Sequence, residues 1–344
     1  MNNRRDAYKE VYIVLQDLNE EDYNRIPPEI IETIKENSNE EYEFVLNDEL
    51  ELKEQLLLPE TKAILFNLFR DYLATPVQKE KILKMQSEER KKVEEKKKQK
   101  EISKEAERVV DSIITDDMTE LEKEMAINQY LCDTAEYDMD ALENAEENDF
   151  AGVDAKFNDS FTPYGVLLNK TGVCSSYAGA FKLLAQQAGL ECIVVTGNLD
   201  GELPHAWNKI KIDGEWRIVD STNNDNELIL NALLNLPDYA ADKVLVEDER
   251  FVLDDKVKDY EAKSDDKEFY RIEGKFYEKN KIFEPLKNEL KEEGIAVLRT
   301  DYTLSDKEFM KIAQEVVEGY GSGELGGYYW LGVIYLTDEE GREK

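Results

Sequence analysis

Helical spacing of apolar residues dominates the first quarter of the chain. The spacing is clearest over residues 8–18, 30–34 and 64–72, while a short strand is predicted over 42–46. No group of residues in this region has the spacing of a catalytic or metal site. Residues 1–85 are therefore predicted to form a mainly helical domain, with a role in structure or in contact with a protein partner.

Lysine and glutamate then replace the apolar residues over 86–108. Glutamates and lysines four positions apart stabilise a solvated helix, and apolar residues are too sparse here for the seam of a long coiled coil. A basic surface for nucleic acid is the alternative interpretation, but glutamates interleave with the lysines. We interpret the segment as a charged helical linker.

The pattern over 109–255 changes from helical to strand-like. Residues 121–131 predict one helix, and a second helix begins near Val173 and stops at Gly189. Strands are predicted over 192–196, 206–212 and 216–220, and the Asp-Gly pair between the last two is a strong hairpin signal. Helical runs followed by strands that form a hairpin predict an α+β domain.

The tail over 265–344 alternates between the two patterns. Strand-like runs occur over 270–277, 295–298 and 328–336, and helical runs end near 293 and span 309–317. The glycine-rich stretch at 321–327 has neither the lysine of a phosphate-binding loop nor the strand–loop–helix order of a dinucleotide site, so we interpret it as a turn. The prediction for the tail is a small α+β domain.

Composition limits the kinds of partner the protein can bind and the cellular compartment in which we expect it. Asp and Glu number 78 against 44 Lys and Arg, which gives a formal net charge of −34. Such a charge argues against nucleic acid and anionic membrane surfaces as partners, and no stretch approaches the roughly 18 apolar residues of a membrane span. The N-terminal residues lack the apolar core of a signal peptide and the cysteine count is odd, so we expect a cytoplasmic protein without a disulfide framework.

Candidate chemistry centres on the only histidine in the sequence, His205. Cys174 lies upstream at the start of a predicted helix, and Asp220 ends the last predicted strand downstream. A thiol reacts as its thiolate, and an imidazole oriented by a carboxylate is the usual means of obtaining one near neutral pH. One histidine without a Cys-x-x-Cys pair supplies too few ligands for a metal, so neither a metal nor another cofactor is expected.

The register of the predicted hairpin decides whether His205 and Asp220 share a face. A two-residue turn at 213–214 sets Asp220 opposite Trp207, on the face of His205, but divides the other apolar residues of the hairpin between both faces. A three-residue turn unites those apolar residues but sets Asp220 opposite Asn208, away from the histidine. The residues alone permit either register.

A series of short blocks lies in one order between 105 and 250. These blocks are Tyr164-Gly165-Val166-Leu167, Gly172-Val173-Cys174, Tyr177-Ala178, Ala188-Gly189-Leu190-Glu191, Val195-Thr196-Gly197, His205-Ala206-Trp207-Asn208, Asp213-Gly214-Glu215-Trp216 and Val219-Asp220-Ser221-Thr222. Together they resemble the transglutaminase-like superfamily of papain-like thiol enzymes, and an ordered set is more specific than any single motif. The resemblance implies a papain-like core, in which a cysteine helix packs on an antiparallel sheet.

The resemblance also implies roles for three residues. Cys174 would be the nucleophile, His205 the base and Asp220 the carboxylate that orients the imidazole. Backbone N–H groups at the start of the cysteine helix are the expected oxyanion donors. Each residue keeps a structural alternative, namely a buried cysteine, a hydrogen-bonded core histidine, and an aspartate that caps the turn into Ser221-Thr222.

Four further side chains are candidates for substrate binding. Ser176 and Asn223 stand where relatives often have Gly and Trp, close enough to the cysteine and the aspartate to alter the cleft. Trp207 has the alternative role of a core residue. Tyr164 is equally compatible with lining the cleft, donating to the oxyanion, or packing.

The function predicted from these observations is a thiol-dependent acyl-transfer enzyme that hydrolyses a peptide or side-chain amide through a thioester. A lysine amine in place of water as the acceptor would give protein cross-linking. The alternative from another class is a catalytically inactive transglutaminase-like module that binds a peptide or protein. In both cases the expected partner is a peptide or protein rather than nucleic acid or membrane.

Overall fold

The computed structural model of the chain describes residues 76–248, 259–320 and 325–338. The chain divides into two compact units, residues 1–101 and 102–344. The predicted helical domain at 1–85 lies almost entirely outside the described residues. Among the helices that the structure describes, none combines the length and apolar character that a membrane span requires.

The charged segment lies within one long helix, α1 (Pro76–Ile113). Near its end, Ile102, Ala106, Val109 and Val110 recur on one side of the helix and are buried in the main core. The packed part of the second unit therefore begins at Ile102, about two helical turns before the predicted boundary at residue 109.

Short elements connect α1 to the cysteine helix. In chain order they are α2 (Glu120–Thr134), β1 (Glu136–Tyr137), α3 (Met139–Glu147), a 3₁₀ segment (Ala155–Phe161), a π-helical turn (Gly165–Asn169), β2 (Thr171–Gly172) and α4 (Cys174–Gln187). The pairing of β1 with β2 is parallel, with Tyr137 opposite Gly172. This pairing brings residue 137 beside the start of α4.

A five-stranded antiparallel sheet supports α4. Its elements are β3 (Glu191–Leu199), β4 (Leu203–Ile212), β5 (Glu215–Val219), α5 (Ser221–Asn224), β6 (Leu234–Leu236), α6 (Asp238–Ala241) and β7 (Leu245–Glu247). The strand order is β6-β5-β4-β3-β7. The helix packs on one face, so the α+β class is confirmed.

The β4–β5 hairpin has the two-residue turn. Asp213 and Gly214 have φ angles of 52° and 84°, and Ile212 pairs with Glu215. Apolar side chains on both faces are nevertheless buried. One face, with Ile210, Ile212 and Val219, packs against the core that contains α4, and the other, with Trp207 and Ile218, packs in a second core. The two-residue turn places apolar residues on both faces of the hairpin, and this costs no exposure because both faces of the sheet are covered.

The C-terminal part forms a smaller helix-and-sheet layer. Its elements are α7 (Phe269–Ile272), α8 (Phe283–Glu293), β8 (Ile295–Arg299), α9 (Asp306–Tyr320), β9 (Gly326–Trp330) and β10 (Val333–Thr337). The three strands are antiparallel in the order β8-β10-β9, and α8 and α9 pack on one face.

Two sequence predictions in this part are corrected. The strand-like run 270–277 begins as α7, because the Glu268 carboxylate accepts the N–H groups of Tyr270 and Arg271 and caps a helical turn. The single strand over 328–336 is a hairpin, since Leu331 and Gly332 have φ angles of 47° and 77° and form a tight turn.

Buried hydrogen bonds and an ion pair connect this C-terminal layer to the segment before β6. Arg299 and Glu268 form an ion pair in which neither side chain is exposed, and a second guanidinium nitrogen of Arg299 donates to the carbonyl of Ala232. The Tyr270 hydroxyl donates to the carbonyl of Leu230. The predicted domain at 265–344 thus packs within the same compact unit as the sheet.

Candidate active site

Cys174 is the first residue of α4, and its thiol is half-buried. The strand β2 delivers the chain to this position, and Val173 before it is extended. The first N–H groups of a helix carry partial positive charge, which favours an anion such as a thiolate at this end. The prediction that the cysteine opens a helix is confirmed.

His205 and Asp220 are brought together by the hairpin. His205 lies near the start of β4, and Asp220 follows β5 directly, opposite Trp207 when the register is continued by one pair. The imidazole Nε2 is 2.7 Å from the carboxylate Oδ2, and both side chains are almost completely buried. A neutral ring with its proton on Nε2, or the imidazolium, donates this hydrogen bond.

The Cys174 thiol is close enough to His205 to help raise the pKa of the ring. Because Nε2 faces Asp220, Nδ1 is the ring nitrogen left to face the sulfur. Burial lowers the pKa of His205, but the charge and hydrogen bond of Asp220, together with Cys174, raise it to about 10 overall. The raised pKa favours the imidazolium form of the ring, which donates to the Asp220 carboxylate.

Tyr137 was not identified from the sequence, and its hydroxyl is close enough to Cys174 for both the thiol and the backbone of that residue to influence its pKa. The backbone of Cys174 favours the phenolate form and so lowers the pKa of Tyr137. Burial and the nearby sulfur nevertheless raise the pKa of Tyr137, which keeps the phenol protonated. No local motif marks this residue, because the β1–β2 pairing positions it.

Asn223 is half-buried and contacts the Asp220 carboxylate. Its side-chain amide nitrogen is 2.6 Å from Oδ2 of Asp220 and 3.2 Å from Nε2 of His205. Its backbone N–H lies 3.3 Å from the other carboxylate oxygen of Asp220. The sequence indicated that this position matters but assigned it to the substrate.

Two of the other residues predicted to bind substrate are buried in the core. Ser176 is fully buried, accepts a hydrogen bond from the Val166 N–H at 3.0 Å, and donates to the carbonyl of Thr162. Trp207 is also buried, and its ring stacks 6.1 Å from that of His205. Tyr164 is half-buried against the core cluster of α4, so its part in the cleft stays a prediction.

The two other cysteines have thiols of raised pKa. Burial raises the pKa of Cys132 to about 12, with nearby carboxylates adding to it, and burial also raises the pKa of Cys192. Both are therefore protonated at neutral pH. Within the described residues, no group of three or more His, Cys, Asp or Glu side chains is arranged to hold a metal ion.

A family model described as the transglutaminase-like superfamily matches residues 107–221. These residues are a transglutaminase-like domain. The match includes Cys174 and His205 and ends directly after Asp220, so the resemblance seen in the sequence is confirmed for this part of the chain. The helix-on-antiparallel-sheet core of the transglutaminase-like domain agrees with a papain-like α+β fold.

Part of the chain is also similar to proteins of known name. It is similar to the Kyphoscoliosis peptidase of Mus musculus, with 30% identity over 125 residues, which cover 33% of this chain and 17% of the relative. The Homo sapiens protein of the same name is 31% identical over 127 residues, covering 34% and 18%. The match thus spans under a fifth of either relative. A crystal structure of a TGase aligns over 37% of this chain and 32% of its own, with 21% identity and a TM-score of 0.32.

Proposed function

We propose that the transglutaminase-like domain is a thiol-dependent acyl-transfer enzyme that hydrolyses a peptide or side-chain amide. The observation that supports this best is the 2.7 Å contact between the His205 ring and the Asp220 carboxylate, with the Cys174 thiol close enough to help raise the pKa of that ring. A nucleophile, a base and an orienting group in hydrogen-bonding contact are the requirement for nucleophilic acyl transfer.

The first step forms a thioester. The Cys174 sulfur, as thiolate beside the His205 imidazolium, attacks the amide carbonyl, and a C–S bond forms while the carbonyl π electrons move to oxygen. When the tetrahedral intermediate collapses, the C–N bond breaks, and the imidazolium gives its proton to the departing nitrogen. Asp220 stabilises the imidazolium before this transfer and holds the ring afterwards.

The second step releases the acyl group. Water attacks the thioester carbonyl while the neutral His205 ring takes its proton, and collapse then breaks the C–S bond and returns the thiolate–imidazolium pair. A lysine amine could attack in place of water and would form a cross-link. The two relatives are named as peptidases, which favours water as the acceptor.

The negative oxygen of both tetrahedral intermediates needs hydrogen-bond donors. The N–H of Cys174 is at the positive end of α4, and the Tyr137 hydroxyl lies beside it. A protonated phenol is a donor, and a substrate oxygen entering between the two would accept from both. Removal of one such donor typically costs about a hundred-fold to a thousand-fold in rate.

The test is a competition among the three thiols of the intact chain. At about neutral pH, iodoacetamide should alkylate Cys174 faster than Cys132 and Cys192 by at least about a hundred-fold, measured by mass spectrometry of the digest. His205→Gln should abolish this selectivity. Equal labelling of the three cysteines would overturn the enzyme and favour the inactive binding module.

A second measurement identifies the reaction. A peptide library incubated with the enzyme should give new carboxylates and amines, with ¹⁸O from labelled water in the carboxylate. Cys174→Ala should give neither product. Incorporation of an added amine in place of ¹⁸O would assign cross-linking instead of hydrolysis.

A further inference from the structure

Asp220 is held at both of its carboxylate oxygens by the residue three positions later. It caps α5, because Oδ1 accepts the backbone N–H of Asn223 at 3.3 Å. The side-chain amide of the same asparagine donates to Oδ2 at 2.6 Å. Capping needs only the backbone N–H, so the second hydrogen bond serves something other than the helix.

The hydrogen bond from the Asn223 amide and the one from the His205 ring share one acceptor oxygen. Oδ2 of Asp220 accepts from the ring at 2.7 Å and from the Asn223 amide at 2.6 Å. The 3.2 Å contact between the two nitrogens follows from this convergence, since both of them are donors. The opposite amide orientation would set two acceptor oxygens against each other, so the network requires the nitrogen to face Asp220.

We propose that Asn223 is a positioning residue, whose side-chain amide fixes the Asp220 carboxylate in the orientation that receives the Nε2 proton of His205. Fixing Nε2 in this way turns Nδ1 towards the Cys174 thiol. The inference deepens the proposed function and rests on it for its catalytic meaning. It differs from the sequence-based expectation, in which Asn223 contacts the substrate.

The arrangement explains how an asparagine can serve at this position. An amide offers two donor hydrogens on a short side chain, and in the first turn of α5 it reaches back to the capping carboxylate. A carboxylate bound by only one donor at each side rotates more freely about its last torsion. The amide therefore limits the rotation that would break the contact with His205.

The single histidine makes the test direct, because ¹⁵N labelling of histidine reports on His205 alone. In Asn223→Ala the Nε2 proton should exchange with water about tenfold faster, as expected for one lost hydrogen bond to a charged group. The rate of Cys174 alkylation at about neutral pH should fall by a similar factor. Substrate KM should stay unchanged while kcat falls.

Two variants keep the test decisive. Asn223→Asp preserves size but opposes Asp220 with a second acceptor, so it should speed proton exchange as well. Thr222→Val is the matched control on the same short helix, since the buried Thr222 hydroxyl has no hydrogen-bond partner, and it should leave exchange and alkylation at wild-type values.

Wild-type proton exchange in Asn223→Ala would overturn the positioning role, and a raised KM with unchanged kcat would return Asn223 to substrate binding. The proton measurement needs no catalysis. It can therefore fail while the proposed enzyme function stands. Failure of the enzyme function itself would be seen as unselective alkylation of the three cysteines in the wild-type chain.

Discussion

Asp220 lies diagonally across the β4–β5 hairpin from His205, and its Oδ2 is 2.7 Å from Nε2 of the ring. This relationship depends on the two-residue turn at Asp213-Gly214, because a slip of one residue would move every side chain of β5 to the other face. Burial of both faces of the sheet stabilises the register. The hairpin turn thus determines whether the histidine meets the carboxylate.

The protonation of His205 should make the free energy of unfolding depend on pH. Its pKa of about 10 in the folded protein lies above the ordinary value of 6.5, so folding retains a proton that the unfolded chain loses between these values. The stabilisation is complete below about pH 6.5 and is lost as the pH rises through about 10. We expect a contribution on the order of a few kcal/mol.

The measurement is urea unfolding across this pH range, with His205→Gln as the reference. The difference in free energy of unfolding between wild type and variant should shrink as the pH rises. Histidine ¹⁵N shifts should show an imidazolium at about pH 8. The Asp220→Asn substitution should lower the pKa of His205. A neutral ring at that pH would contradict the prediction.

Tyr137→Phe should remove one oxyanion donor while keeping the ring. A peptide aldehyde adds to Cys174 as a hemithioacetal whose oxygen mimics the tetrahedral intermediate, so its affinity should fall by about a hundred-fold. Alkylation of Cys174 should change little. Tyr177→Phe is the control, because that hydroxyl bonds Asp225 at 3.3 Å instead. Equal aldehyde affinity in wild type and Tyr137→Phe would exclude the donor role.

Ser176→Ala should destabilise the fold without altering the imidazole. Its hydroxyl oxygen is the acceptor for the buried Val166 N–H, and loss of that partner should cost about 1–3 kcal/mol. Thermal or urea unfolding measures the loss, while the His205 ¹⁵N spectrum should match wild type. If substrate KM rose and stability did not change, Ser176 would belong to the cleft after all.

Glu124→Gln should stabilise the protein at alkaline pH. The Glu124 side chain is fully buried, Asn235 donates to one of its oxygens at 2.9 Å, and burial raises its pKa to about 8 despite that hydrogen bond and the nearby Arg217 and Lys267. The stability that comes with the bound proton is complete below the ordinary value of 4.5 and is lost as the pH rises through about 8.

The neutral amide keeps the shape and cannot ionise. The free energy of unfolding of Glu124→Gln should therefore exceed that of wild type by a few kcal/mol above about pH 8 and match it near about pH 5. Glu107→Gln, at an exposed position on α1, should leave the pH dependence as it is in wild type. Parallel pH curves for wild type and Glu124→Gln would contradict the assignment.

Local patterns predicted much of the site. The cysteine at a helix start, the Asp-Gly turn and the strand after His205 all depend on interactions between residues close in the sequence, and each of them is present. Patterns were less informative for 270–277 and 328–336. There a side-chain cap and a Leu-Gly turn outweighed strand propensity.

Contacts between distant residues account for what the patterns did not predict. Tyr137 reaches Cys174 through the β1–β2 pairing, and Ser176 is buried because the π-helical turn packs on α4. Neither follows from periodicity, since the same residue type serves at an open cleft or in a core.

The sequence by itself determined the order of the elements from the cysteine helix to the β4–β5 hairpin, the α+β class and the single histidine that can act as a base, because spacing and composition are properties of the chain. Only the tertiary structure decided the hairpin register, the approach of Tyr137 to Cys174 and the two hydrogen bonds from Asn223 to the Asp220 carboxylate. These depend on packing both faces of one sheet, a constraint that arises when distant segments meet.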